Sequence, residues 1–167
     1  QPQPWTQEIV ETLEAVLKLN PKHPGANHIY VHAVEASPHP EWALAYAQKL
    51  PALVPAAGHL VHMPAHIYQR TGDYLSAARS NRDAAQADEA YVKARGVEGP
   101  PALMYYSHNL HFLAVAESMA GRFADAESLY SLRLKQGGPP AVGLNHAIAR
   151  ALAGKGEAAE SELDRLE

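Results

Sequence analysis

A turn that recurs at near-constant spacing leaves this chain little choice of architecture. Thr71-Gly72-Asp73-Tyr74 followed by Ala77 is a helix-breaking turn leading into a helix with small residues at fixed intervals. Gly121-Arg122-Phe123 with Ala126 and Tyr130 repeats it, as does Gly154-Lys155-Gly156 with Ala159 and Leu163. Ser37-Pro38-His39-Pro40 with Ala43 and Ala47 is a proline-rich version. The turn positions 38, 72, 121 and 154 are separated by 34, 49 and 33 residues. Two of those gaps are one helical hairpin long, and the longer gap is assigned to a loop insertion at 93–101, where Gly96, Gly99, Pro100 and Pro101 cluster. Prolines give a second register mark: Pro21 closes a predicted helix Glu8–Leu19 as Pro55 closes a predicted helix Glu41–Val54, again 34 residues apart. The expected molecule is a single all-α domain over 1–167. It has a leading helix at 5–19 and hairpins at about 24–54, 58–92, 102–136 and 140–167.

This pattern resembles the tetratricopeptide repeat (TPR) over essentially the whole chain. With Gly72 at repeat position 15, Tyr68 falls at 11, Tyr74 at 17, Ala77 at 20 and Ala84 at 27, the small and aromatic packing positions of that family. Ala65 stands where the family usually has Gly at position 8, Asn81 replaces a bulky residue at 24, and the third and fourth repeats lack the terminal Pro. The stretches His23-Pro24-Gly25-Ala26-Asn27-His28 and Gly58-His59-Leu60-Val61-His62-Met63-Pro64-Ala65-His66-Ile67-Tyr68 look like a histidine-rich bacterial branch of such repeats, a likeness that supplies no activity. The resemblance implies a right-handed α-solenoid.

Composition narrows the function. Fourteen Lys and Arg against 18 Asp and Glu give a net charge of -4 with no basic stripe, which disfavours a nucleic-acid partner. No apolar run approaches the roughly 20 residues of a membrane-spanning helix, so a soluble chain is expected. Zero cysteines exclude disulfides, thiolate metal sites and cysteine nucleophiles, and leave the compartment open between cytoplasm and periplasm. No H-E-x-x-H helix, G-x-S-x-G elbow, phosphate-cradling glycine loop or EF-hand spacing occurs. What remains unusual is ten histidines against two phenylalanines.

In the repeat register, the resemblance implies that positions 2, 5, 9 and 12 of each first helix face a concave groove. His28 and His32 fall at 5 and 9 with Glu35 at 12; His59, His62 and His66 fall at 2, 5 and 9; His108 and His111 fall at 2 and 5. Independently of any family, spacings of three and four residues place side chains on one helix face a turn apart. Side-by-side first helices about 8–10 Å apart then let three such stripes converge. Imidazoles without thiolates suit a divalent transition metal, copper or zinc foremost. The pair His62 and His66 and its equivalent, His28 and His32, are the expected chelating pairs, with Glu35 a carboxylate ligand or a base on a metal-bound water. His23, His39 and His146 read as ordinary polar residues. Tyr105 and Tyr106 stand where they can edge the groove, whereas Tyr68 is a packing residue.

Pro64, between His62 and His66, either kinks a continuous helix or starts a new one, which would leave His59 in a loop. Two alternatives to a metal scaffold stay open: a wet groove of uncharged rings binding a peptide or protein, and a metal-dependent enzyme with the insertion as its lid. The leading helix carries Ile9, Leu13 and Val16 on one face, and the last helix carries Ala158, Ala159, Leu163 and Leu166. Unpaired end faces of this kind predict self-association, as a homo-oligomer or a filament.

Overall fold

The computed structural model describes residues 3–96, 100–135 and 140–163. It is an all-α solenoid of helical hairpins, with no strand among the described residues. In chain order the helices are α1 (Thr6–Leu19), α2 (Pro24–Val34), a 3-10 turn (Pro40–Ala43), α3 (Leu44–Ala47), α4 (Leu50–Leu53), α5 (Gly58–Thr71), α6 (Tyr74–Arg95), α7 (Pro100–Met119), α8 (Phe123–Lys135), α9 (Pro140–Leu152) and α10 (Gly156–Leu163). From α5 onward each helix packs on the next, while α2 also meets α5 and α5 also meets α7. That side-by-side row of α2, α5 and α7 carries seven of the ten histidines.

The repeating turns have one cause. Gly72 ends α5 in the left-handed region at φ 84°, and Gly121 and Gly154 sit at 76° and 81°. Asp73 then starts α6, its carboxylate accepting a hydrogen bond from the Ser76 N–H at 3.0 Å. A side chain at Gly72 would meet no neighbour, so its cost is purely one of backbone conformation. Gly72→Ala is expected to destabilise the protein by about 1–2 kcal/mol in equilibrium denaturation. An unchanged midpoint would contradict the turn's role.

Two elements differ from expectation. The helix expected over Glu41–Val54 is a 3-10 turn followed by two short pieces, α3 and α4. Pro51 lacks the N–H that would bond the Ala47 carbonyl, and its ring crowds that carbonyl, so the helix breaks between them. The segment 93–101 is also not a loop throughout, because α6 continues to Arg95 and α7 begins at Pro100. Proline at a first helical position sacrifices no hydrogen bond, so the extra residues lengthen the two helices instead. Pro64, by contrast, is buried inside α5, which runs unbroken and keeps His59 within it.

The core has three parts. Leu17, Tyr30, Val31, Leu50, Met63 and Ile67 fill the first; Ala65, Ala77, Ala78, Leu113 and Ala116 form an alanine-rich second; Ala114, Ala126, Tyr130, Val142 and Ala149 form the third. Alanine lets α5, α6 and α7 approach closely. Ala65, where the repeat family usually has Gly, is fully buried there. Glu117 is fully buried as well, held by Arg82 at 2.7 Å and by Arg122.

α1 pairs with α2 rather than standing alone, and Leu13 and Val16 pack onto the first core cluster. Of the expected apolar stripe only Ile9 is exposed, beside Trp5 and Leu19. The side chain of Leu163, and Leu166, lie outside the described residues. Among the described residues no helix is long and apolar enough to cross a membrane.

Candidate metal centre

Each helix of the row is anchored where its histidines begin. His23 caps α2, its Nδ1 accepting the Ala26 N–H at 3.1 Å, and Pro24 follows in the first helical turn. α5 starts at Gly58, which lies close against Asp88 and the Ala84 carbonyl of α6, and Asn109 of α7 donates to Asp88 Oδ2 at 2.7 Å. Asp88 thus ties α7 to α6 where α6 meets the start of α5. α2 then presents His28 and His32, α5 presents His59, His62 and His66, and α7 presents His108.

The six rings sort into two triads through their Nε2 atoms. His28 Nε2 lies 3.1 Å from His32 Nε2 and 3.1 Å from His59 Nε2. His62 Nε2 lies 2.8 Å from His66 Nε2 and 3.2 Å from His108 Nε2. Both expected i, i+4 pairs therefore converge, and each acquires a third ring from the neighbouring helix. In each triad the possible ligand atoms lie within 4.8 Å of one another, a spread compatible with one ion.

Three of the outer ring nitrogens are committed elsewhere, whereas the buried Nδ1 of His59 has no hydrogen-bond partner among the described residues. His62 Nδ1 donates to Asn81 Oδ1 at 2.6 Å, and the amide orientation is fixed because Asn81 Nδ2 donates to the Ala77 carbonyl at 2.9 Å. His66 Nδ1 donates to Glu35 Oε2 at 2.6 Å, and His32 Nδ1 donates to Glu35 Oε1 at 2.9 Å. A carboxylate only accepts, so Nδ1 carries the hydrogen in both rings and, when neutral, each has an Nε2 lone pair facing its triad. Glu35, expected as a ligand or base, has both oxygens hydrogen-bonded to these two rings, and the three residues form a third group whose possible ligand atoms lie within 4.8 Å of one another. Arg70 Nε donates to the Glu35 backbone carbonyl at 2.9 Å and holds the residue in place.

Burial favours the neutral form of four of these rings. Burial lowers the pKa of His28, helped by the charges of His32 and His66. Burial and then His28 and His108 take His59 down to about 4. His62 is pushed well below 6.5 by burial and by His66, against which its bond to Asn81 works. His108 is lowered by burial and by His66. Burial alone would raise the Glu35 pKa, but the hydrogen bonds from His32 and His66 outweigh it and hold the carboxyl at about 2. The groove expected to be wet is dry at its centre, where His62 is 0 % exposed.

His111 does not join the others. Three residues beyond His108, its ring meets Tyr130 of α8 at 6.1 Å between centroids, and burial and Arg133 lower its pKa. Tyr105 packs on His59 at 5.0 Å between centroids, whereas Tyr106 turns away and donates to Glu89 at 2.6 Å. His39 stacks on Trp42 and pairs with Glu41, far from either triad in role. Phe112 was not foreseen: one turn beyond His108, it stands 4.7–5.0 Å from the rings of His62, His66 and His108 and walls the second triad. A separate cavity of about 480 Å³, lined by Leu75, Arg79, Arg82, Arg122 and Asp125, contains none of the histidines.

Asn81 was visible in the sequence only as a departure from the repeat pattern, and the structure gives that departure a cause. Asn81→Leu conserves volume but strands the buried His62 N–H, at an expected cost of about 1–3 kcal/mol in denaturation. Asn81→Asp keeps an acceptor for His62 but loses the donor to the Ala77 carbonyl and buries a carboxylate, so it too is expected to lose stability. An unchanged midpoint in Asn81→Leu would mean that the bond to His62 is not what matters.

No protein-family model matches the chain, and no curated protein matches it by sequence. Solved structures do match in fold. The crystal structure of MamA protein superposes with a TM-score of 0.76 at 12 % identity, covering 94 % of this chain and 78 % of that one. A putative kinesin light chain of Podosopora anserina, with nearly identical TPR-like repeats, superposes with a TM-score of 0.73 at 19 % identity, covering 96 % of this chain and 85 % of that one. The fold is TPR-like.

Proposed function

We propose that this chain is a TPR-like scaffold that binds a divalent transition-metal ion through His62, His66 and His108. The observation that carries the reading is the surroundings of His62 Nε2. This single, fully buried nitrogen faces two other Nε2 atoms, while the outer nitrogens of His62 and His66 already donate to Asn81 and Glu35. A proton bridges one such nitrogen pair at a time; a metal ion serves all three. Three neutral imidazoles without a thiolate fit copper or zinc better than magnesium or calcium, which prefer oxygen. Three protein ligands also leave a tetrahedral ion one open position. Asn81 and Glu35 are the kind of outer partners that fix ligand tautomers in metal sites.

Metal analysis of protein purified without an affinity tag, with calorimetric titration of Zn(II) and Cu(II) after chelation, tests this. His62→Ala and His66→Ala are expected to weaken binding at least about 100-fold, while His39→Ala and His111→Ala leave it unchanged. Absence of heat with either metal, or equal losses in all four variants, would overturn the reading. A specific observation supports the alternative of a protein-binding module. Leu144, Ile148 and Leu152 form an exposed aliphatic stripe along α9, and the first two occupy the repeat positions that carry histidine in α2 and α5. A metal-free protein would leave that stripe as the feature to pursue.

A further inference from the structure

We propose that the two triads form one two-metal centre, with a second ion held by His28, His32 and His59 and an exchangeable small anion bridging both ions. The inference rests on the metal-binding reading above, but a separate set of contacts carries it. The first triad repeats the design of the second: one hub nitrogen, His28 Nε2, faces two others at 3.1 Å each. That triad spans α2 and α5 as the second spans α5 and α7, so α5 supplies ligands to both.

Glu35 joins the two. Its two oxygens receive the Nδ1–H of one ring from each triad, at 2.9 Å from His32 and 2.6 Å from His66. A carboxylate shared in this way sets both rings at once, so occupation of one triad orients a ligand of the other. The triads also adjoin directly: ring centroids lie 5.0 Å apart for His32 and His66, 5.9 Å for His59 and His62, and 6.2 Å for His59 and His108. Each three-histidine ion would keep one open position, and ions in triads that adjoin in this way could share a small ligand such as hydroxide or azide. Ring packing reinforces the junction. Tyr105 packs on His59 at one side and Phe112 backs the second triad at the other.

The test uses the full chain, chelated and then titrated with Cu(II), with metal content after dialysis and electron paramagnetic resonance of the loaded protein. Two coppers per chain are expected, with an integrated spin signal well below two because neighbouring Cu(II) ions couple, and with a spectrum altered by azide. His28→Ala and His108→Ala should each retain one copper with the signal of one isolated spin. A single copper in the wild type, unaffected by His28→Ala and lost in His62→Ala, would overturn the two-metal centre and leave the one-ion reading intact. Two coppers giving two full, isolated spins would overturn the shared centre. No bound copper or zinc would overturn both readings. The stoichiometry and spin count of the wild type decide these outcomes even if a variant fails to fold.

Discussion

Adding Zn(II) to the metal-free protein is expected to raise its Tm by about 10–20 °C. An ion bound only by the folded state stabilises it by RT ln(1 + [L]/Kd), which is about 5 kcal/mol when free metal exceeds Kd by roughly four powers of ten. For a domain of this size each kcal/mol moves Tm by about 2–4 °C. The unfolded chain, with ten histidines, also binds metal, so the lower end of the range is the better expectation. Mg(II) should do nothing, and His62→Ala should cut the rise by the share that the second triad contributes. The same rise with Mg(II), or a full rise in His62→Ala, would show that the metal acts elsewhere.

The metal-free protein should also lose stability on mild acidification. The rings of His28, His59, His62 and His108 have lower pKa values folded than unfolded, so the unfolded chain binds more protons as pH falls through 6.5. Their contribution is complete above about pH 7 and is lost downward, through about 4 for His59. Glu35, lowered to about 2, adds a loss of the same sign below about 4.5. A Tm that is flat between pH 7 and 5 would contradict this. Bound metal should counter the loss until protons displace it, because the ligands bind metal only when neutral.

Much of this was legible in the sequence because it is local. A glycine at the end of one helix and a capping residue at the start of the next mark a turn wherever they stand, and Gly72-Asp73 behaves as that pattern requires. Histidines four apart share a helix face, so the pairs His28 with His32 and His62 with His66 could be read directly. The partition into two triads could not, because it depends on which ring of one helix meets which ring of the next. His59 joined the α2 pair rather than His62, and His111, also in the expected groove stripe, turned to α8. Asn81 and Phe112 gain meaning only across a helix interface. Pro51 and Pro100 show the same limit within single elements: one breaks a helix and the other begins one, and position decides which.

Gly58→Ala is expected to cost about 2–3 kcal/mol and to lower Tm by about 4–12 °C. A Cβ at this position would lie 2.1 Å from Asp88 Oδ1 and 2.7 Å from the Ala84 carbonyl oxygen. The carboxylate can move, but only by giving up the Asn109 side chain that it holds. The Ala84 carbonyl belongs to the backbone of α6 and cannot move alone, so the start of α5 must lift away from α6. His59 is the next residue, whereas His62 and His66 lie one and two turns further along. The variant should therefore weaken the first triad more than the second. Calorimetric titration with Cu(II) separates the two effects: loss of one of two binding events, with the other kept, fits a displaced His59. Wild-type Tm with both events intact would mean that α5 and α6 tolerate the added methyl and that their close approach does not position the site.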